Sequence, residues 1–136
     1  MVAHLQENAF LYLQDTSGRI TYVSPSIRNV LGYSPRHLMA HFSKTLTDHP
    51  LNREAVCLSE AGMRGEKQPP FLVEVHHVDG SRRWFELNET PLKDRRGRMT
   101  AVQGIAVDVT RRVRAEEEQR KQERRLALAM EAVGMA

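Results

Sequence analysis

The segment FLVEVHHVDGSRRWFEL, residues 71–87, leaves this chain few ways to fold. Apolar residues alternate with polar ones on both sides of Asp79-Gly80, and that dipeptide between alternating runs is the strongest short-range signal for a β-hairpin. The alternation puts Phe71, Val73 and Val75 on one face of the first strand, and Phe85 with Leu87 on one face of its partner. After the polar turn KDRRGR, the run MTAVQGIAVDV supplies a third strand. The second half of the chain therefore reads as antiparallel sheet.

The first half adds two strands and a set of helices. FLYLQDTSGRITYVS reads as two strands about the turn Asp15-Thr16-Ser17-Gly18. In SPSIRNVLGYSP, Ser24 or Ser26 is placed to cap a short helix that Gly32 ends. Pro35 opens a second helix in PRHLMAHFSKTL, at a favourable first-turn position. A third runs through DHPLNREAVCLSEAGMRGE, with Asp48 as cap, Leu51, Ala55 and Leu58 on one face, and Gly62 or Gly65 as stop. The start, MVAHLQENA, has the spacing of a two-turn amphipathic helix. The sum is an α+β fold, with short helices on one face of a five-stranded antiparallel sheet.

Composition narrows the function classes. A chain of 136 residues with 40% apolar content suits one domain plus an appendage. No apolar run approaches the roughly 18 residues of a membrane span, and the N-terminus lacks the pattern of a signal peptide. The single cysteine, Cys57, excludes an internal disulfide and fits a reducing compartment, so a soluble, cytoplasmic chain is expected. Residues 1–110 carry 13 basic and 12 acidic side chains, whereas residues 111–136 carry 7 and 5. The excess charge thus sits on a stretch of mixed sign, which argues against nucleic acid as a partner.

Three stretches in order, DTSGRITYVSPSIRNVLGYSP, HHVDGSRRWFELNETPL and GIAVDVT, resemble the PAS sensor domain with its C-terminal PAC segment. The resemblance divides the chain into an N-terminal amphipathic helix (1–9), a PAS/PAC domain (10–110) and a signalling-helix linker (111–136) leading to a further domain not included. It implies a module that senses a small molecule, redox state or light, or that dimerises, and that biases an effector through its exit helix. A histidine kinase or a cyclic-di-GMP enzyme of a bacterial-type signalling protein is the effector expected in the same polypeptide. The chain itself has no His-Glu phosphoacceptor helix, no Gly-Gly-(Asp/Glu)-Glu-Phe loop and no P-loop, so no catalysis is expected of it.

The cofactor is left unknown. In the flavin-binding subclass the reactive cysteine would fall near Ser43, so adduct chemistry is excluded for want of a thiol. Cys57 reads as a small buried residue of a helix. Haem is disfavoured: the family's ligand position falls at Glu54 or Ala55, and only a gap would bring His49 there. His37 and His41 have a chelating i, i+4 spacing but no third ligand nearby, and adjacent His76 and His77 cannot both face inward, so no metal is assigned.

By the resemblance, Phe71, Val73, Val75, Phe85, Leu87, Glu89, Gly104 and Ala106 face an internal pocket that Leu51, Ala55 and Leu58 close from the helical side. Gly104 and Ala106 take little volume, which leaves space to be filled. Glu89 follows Phe85 and Leu87 in phase. Its carboxylate either points inward, needing a base, a proton or a ligand's donor, or reaches solvent where the strand frays at Pro91. Trp84, Ile105 and Val107 project from the other face, and Leu5 of the N-terminal helix with a second subunit would cover them, which predicts a homodimer.

No Gly, Pro or Asn separates the strand GIAVDV from the charged run that follows Thr110. Asp108 is placed to accept from the first turn of that helix and Thr110 to cap it, making strand and helix one stiff unit. Beyond the junction, Ala115, Gln119, Gln122, Leu126, Ala129 and Val133 form a weak heptad seam. Glu116–Arg120 and Glu117–Lys121 pairs are expected to support the helix.

Overall fold

The computed structural model describes residues 8–134. The expected N-terminal helix, with Leu5, lies outside them except at its end, where Ala9 already belongs to a strand. The elements are β1 (Ala9–Gln14), β2 (Ile20–Val23), α1 (Ile27–Val30), α2 (Pro35–Thr45), α3 (Leu51–Met63), β3 (Phe71–His76), β4 (Arg82–Lys93), β5 (Met99–Asp108) and α4 (Thr110–Ala132). The five strands form one antiparallel sheet in the order β2-β1-β5-β4-β3. Helices α1 to α3 pack on the inner face around Phe10, Tyr12, Ile27, Leu31, Leu38, Val73 and Phe85.

The three hairpins share one turn. In each, the first residue donates its N–H to the carbonyl four residues on: Asp15 to Arg19, His77 to Ser81 and Asp94 to Arg98. The fourth residue is Gly18, Gly80 or Gly97, each with φ between +79° and +89°, a region closed to most side chains. Asp15 and Asp94 hold the turn by accepting the N–H two residues on, at 2.9 and 2.8 Å. His77 does the same with Nδ1, accepting from Asp79 at 3.0 Å.

The helix starts differ from expectation. Ser34 caps α2, its hydroxyl accepting from His37 N–H, and Pro35 follows at the first turn. Neither Ser24 nor Ser26 caps α1 with its side chain; the Ser24 hydroxyl instead accepts from Leu11 N–H in β1. Asp48 is not the cap of α3, because Pro50 occupies that position and His49 Nδ1 takes the Leu51 N–H at 3.1 Å. Gly65, at φ +92°, is the residue that turns the chain out of α3, while Gly62 lies buried within the helix.

Asn52 fastens α3 to the edge strand. Its side-chain N–H groups donate to the carbonyls of Thr47 and Glu74, and its oxygen accepts from Glu74 N–H, all at 2.9 Å. These bonds fix the rotation of the helix. The sheet-facing side of α3 is therefore Asn52, Ala55 and Ser59, not Leu51, Ala55 and Leu58. Leu51 is exposed and Leu58 half-buried on the flank. Cys57 is exposed on the outer side, contrary to its reading as a buried residue.

Candidate functional site

Two cavities of about 40 Å³ each lie between the helices and the inner face of the sheet. Tyr12 and Phe42 border both. Of the residues expected around a pocket, Ala55, Phe71, Val73, Leu87 and Glu89 line the first cavity, while Val75 and Phe85 line the second. Leu51 and Leu58 border neither; they flank a surface groove with Glu54 and Pro70.

Gly104 and Ala106 do not leave free volume. A β-carbon on Gly104 would collide with the ring of Tyr12, its register partner on β1, and Ala106 is fully buried opposite Phe10. The neighbouring strand fills the space that these small residues provide. The family resemblance placed them on the inner face but could not show which aromatic would reach across.

Glu89 points inward. It is 5% exposed and β4 continues past it to Lys93, so the strand does not fray at Pro91. The Tyr12 hydroxyl donates to Glu89 Oε2. Burial, and then the adjacent carboxylate, push the Tyr12 phenol well above its ordinary value, keeping it a donor. Glu89 Oε1 is buried with no partner, and so is the side-chain oxygen of Gln14, which lines the same cavity. Lys67, the nearby base, is turned to other acceptors: its ammonium binds the Glu89 carbonyl and the Asn88 side chain at 2.8 Å.

Neither cavity is bordered by a histidine or a cysteine. Ser43 is exposed on α2, and His49 packs edge-on against Trp84, 4.8 Å between ring centroids. His37 and His41 are exposed, with His37 stacked on Tyr33. Among the described residues no three His, Cys, Asp or Glu side chains gather as a metal site.

At the other end of β4 the exit helix is riveted to the sheet. Asp108 Oδ1 accepts from the Thr110 N–H at 2.9 Å and from its hydroxyl at 2.5 Å. Thr110 is not a cap: its hydroxyl oxygen accepts the N–H of Trp84, in β4, at 2.8 Å. The Trp84 carbonyl accepts from Val109 N–H. Arg112 pairs with Glu86 at 3.2 Å, and Arg114 donates to the Arg82 carbonyl at 3.0 Å. The next turns of α4 thus clamp onto the same strand, with Val113 buried beneath them.

The 111-residue span 4–114 matches the family model for the PAS fold. The chain belongs to the PAS family. This PAS chain is 23% identical over 104 residues to the bacterioopsin transcriptional activator of Halobacterium salinarum, covering 76% of the chain but 15% of that relative's length. A sensory box histidine kinase/response regulator from Burkholderia thailandensis superposes with a TM-score of 0.68 at 21% identity, over 88% of this chain and 90% of that one. An RNA-binding light-oxygen-voltage receptor gives 0.72 at 22% identity, over 90% and 35%. At these identities the structural likeness speaks to the fold alone. The domain is thus of the sensory PAS type.

On the far face of the sheet Trp84 is buried, with His49 edge-on against it. Ile105 and Val107 remain half-exposed. Beyond Val113 every described residue of α4 is exposed, the expected seam among them. Among the described residues neither Glu116–Arg120 nor Glu117–Lys121 closes to an ion pair; Arg112 reaches Glu116 at 4.0 Å instead. No helix among the described residues is long and apolar enough to cross a membrane.

Proposed function

We propose that this domain binds a small ligand between α3 and the sheet and passes its state through α4 to an effector in the same polypeptide, a histidine kinase or a cyclic-di-GMP enzyme. The observation that carries this reading is that one strand serves both ends. Leu87 and Glu89 border the cavity, while Arg82, Trp84 and Glu86 of the same β4 hold the first turns of α4. A ligand that displaces β4 against its neighbours acts on the helix through hydrogen bonds and ion pairs with no flexible residue between. The exposed heptad stripe on α4 and just past its end, with Leu126 and Val133 at 62% and 67% exposure, supports pairing of two such helices in a cytoplasmic homodimer.

Two experiments test it. Native mass spectrometry of protein taken directly from cells reports retained small molecule and subunit count together; a bare monomer speaks against the reading. In the full-length protein, one residue inserted near Arg114 is expected to disturb effector output far more than seven, because seven restore the helical phase. Equal effects would make α4 a spacer.

A further inference from the structure

The cavity beside Glu89 has an uneven balance of donors and acceptors. Its buried polar groups are Tyr12, Gln14, Asn52 and Glu89. Asn52 has partners on both side-chain atoms, and the Tyr12 hydroxyl is spent on Glu89. What is left is two buried, unpartnered acceptors, Glu89 Oε1 and Gln14 Oε1, and one neutral hydroxyl on the lining, that of half-buried Ser59. The Gln14 amide nitrogen is directed away, toward the Gly18 carbonyl at 3.4 Å.

No cationic side chain among the described residues forms an ion pair with Glu89 or borders the cavity. A buried carboxylate oxygen without a donor is costly. Apart from Ser59, the remaining wall is apolar: Phe42, Leu46, Ala55, Val56, Phe71, Val73 and Leu87. On α3, Ala55, Ser59 and Gly62 fall at i, i+4 and i+7, keeping that side of the helix small where it passes the carboxylate. A β-carbon on Gly62 would stand 3.9 Å from Glu89 Oε1.

We infer that this cavity is a site for a small organic cation, a primary ammonium on a short hydrocarbon stem. The ammonium donates to Glu89 Oε1 and Gln14 Oε1 and supplies the charge that the site lacks, and the stem lies against Val73 and Leu87. An anion is excluded by charge, and a neutral alcohol satisfies one acceptor while leaving the carboxylate uncompensated. A volume of about 40 Å³ accommodates about three heavy atoms, the size of ethylammonium. This assignment rests on the reading of the domain as a ligand sensor.

The test titrates the 136-residue chain with ethylammonium chloride, ethanol and sodium acetate, each to on the order of 10 mM at constant ionic strength, following the methyl resonances of Leu46, Val56, Val73 and Leu87. Saturable shifts are expected with ethylammonium, at least tenfold weaker binding with ethanol, and no saturation with acetate. Glu89→Gln keeps an acceptor for Tyr12 and should bring ethylammonium down to the level of ethanol. Gln14→Met, which leaves the Tyr12–Glu89 bond alone, should weaken ethylammonium several-fold and serves if Glu89→Gln does not fold. Equal binding of ethanol or acetate would overturn the cation assignment and leave the sensor reading standing. No saturable shift with any probe, the cavity holding water alone, would overturn the assignment; if native mass spectrometry then also found no retained molecule, the sensor reading would fall with it.

Discussion

The ring of Tyr12 lies on Gly104, its partner across the β1–β5 ladder, so closely that no side chain fits beneath it, and this contact aims the phenol at Glu89. Gly104→Ala must push Tyr12 aside and break that bond. Overpacking and a lost buried hydrogen bond together predict a destabilisation of about 3 kcal/mol. Tyr12→Phe removes the bond alone and should cost about 1–3 kcal/mol. Urea denaturation of both variants checks the order; a Gly104→Ala protein as stable as the parent would mean that Tyr12 is free to sit elsewhere.

Thr110→Val leaves the Trp84 N–H without its acceptor. The expected cost is about 1–3 kcal/mol, with faster amide exchange at Val113 and Arg114, whereas Thr110→Ser keeps the hydroxyl and should behave as the parent. Amide exchange in α4 unchanged by the valine would show that the ion pairs of Arg112 suffice to hold the helix.

Asn52→Ala removes three hydrogen bonds between α3, the preceding loop and β3. Since it also strands the Glu74 N–H, whose acceptor is the Asn52 oxygen, a loss of about 3 kcal/mol is predicted. Asn52→Asp keeps the acceptor but turns a buried carboxylate oxygen onto the Thr47 and Glu74 carbonyls and should cost at least as much. Thermal or urea unfolding measures both, and near-neutral effects would place the anchoring of α3 in its apolar contacts instead.

Acid should loosen the turns in a defined direction. The hydroxyl of Ser17 holds the Asp15 carboxyl below its ordinary value, the Ser81 backbone N–H, 2.8 Å away, does so for Asp79, and the Arg98 backbone N–H does so for Asp94. A carboxyl whose folded value is depressed contributes stability that is complete above the unfolded value, about 3.9, and is lost as pH falls through the folded one. The urea midpoint should therefore be flat from pH 7 to about 5 and decline below about 4. Asp94→Asn should flatten part of that decline; an unchanged acid limb would remove the turn aspartates from the account.

The fold was legible because its signals are local. Asp79-Gly80 and Asp15 to Gly18 carry turn chemistry in residues that touch one another, and Phe71, Val73, Val75, Phe85 and Leu87 carry a period of two that only a sheet satisfies. The inward phase of Glu89 was likewise written in its spacing from Phe85 and Leu87. Asp108 was placed at the helix junction for the same reason, since it bonds two residues on.

What the tertiary structure alone decided concerns atoms far apart in sequence. Asn52 reaches Glu74, 22 residues away, and so turns α3 by about one residue from the face that its apolar residues suggest. Tyr12 reaches Glu89 over 77 residues and occupies the room above Gly104. His49 packs edge-on against Trp84, a contact that no local pattern announces. Periodicity reports which side of a strand faces the core, because that depends on neighbours in the chain. Which side chain fills a given space, and which buried acceptor is left without a donor, depends on strands brought together by the whole sheet, and no local pattern records it.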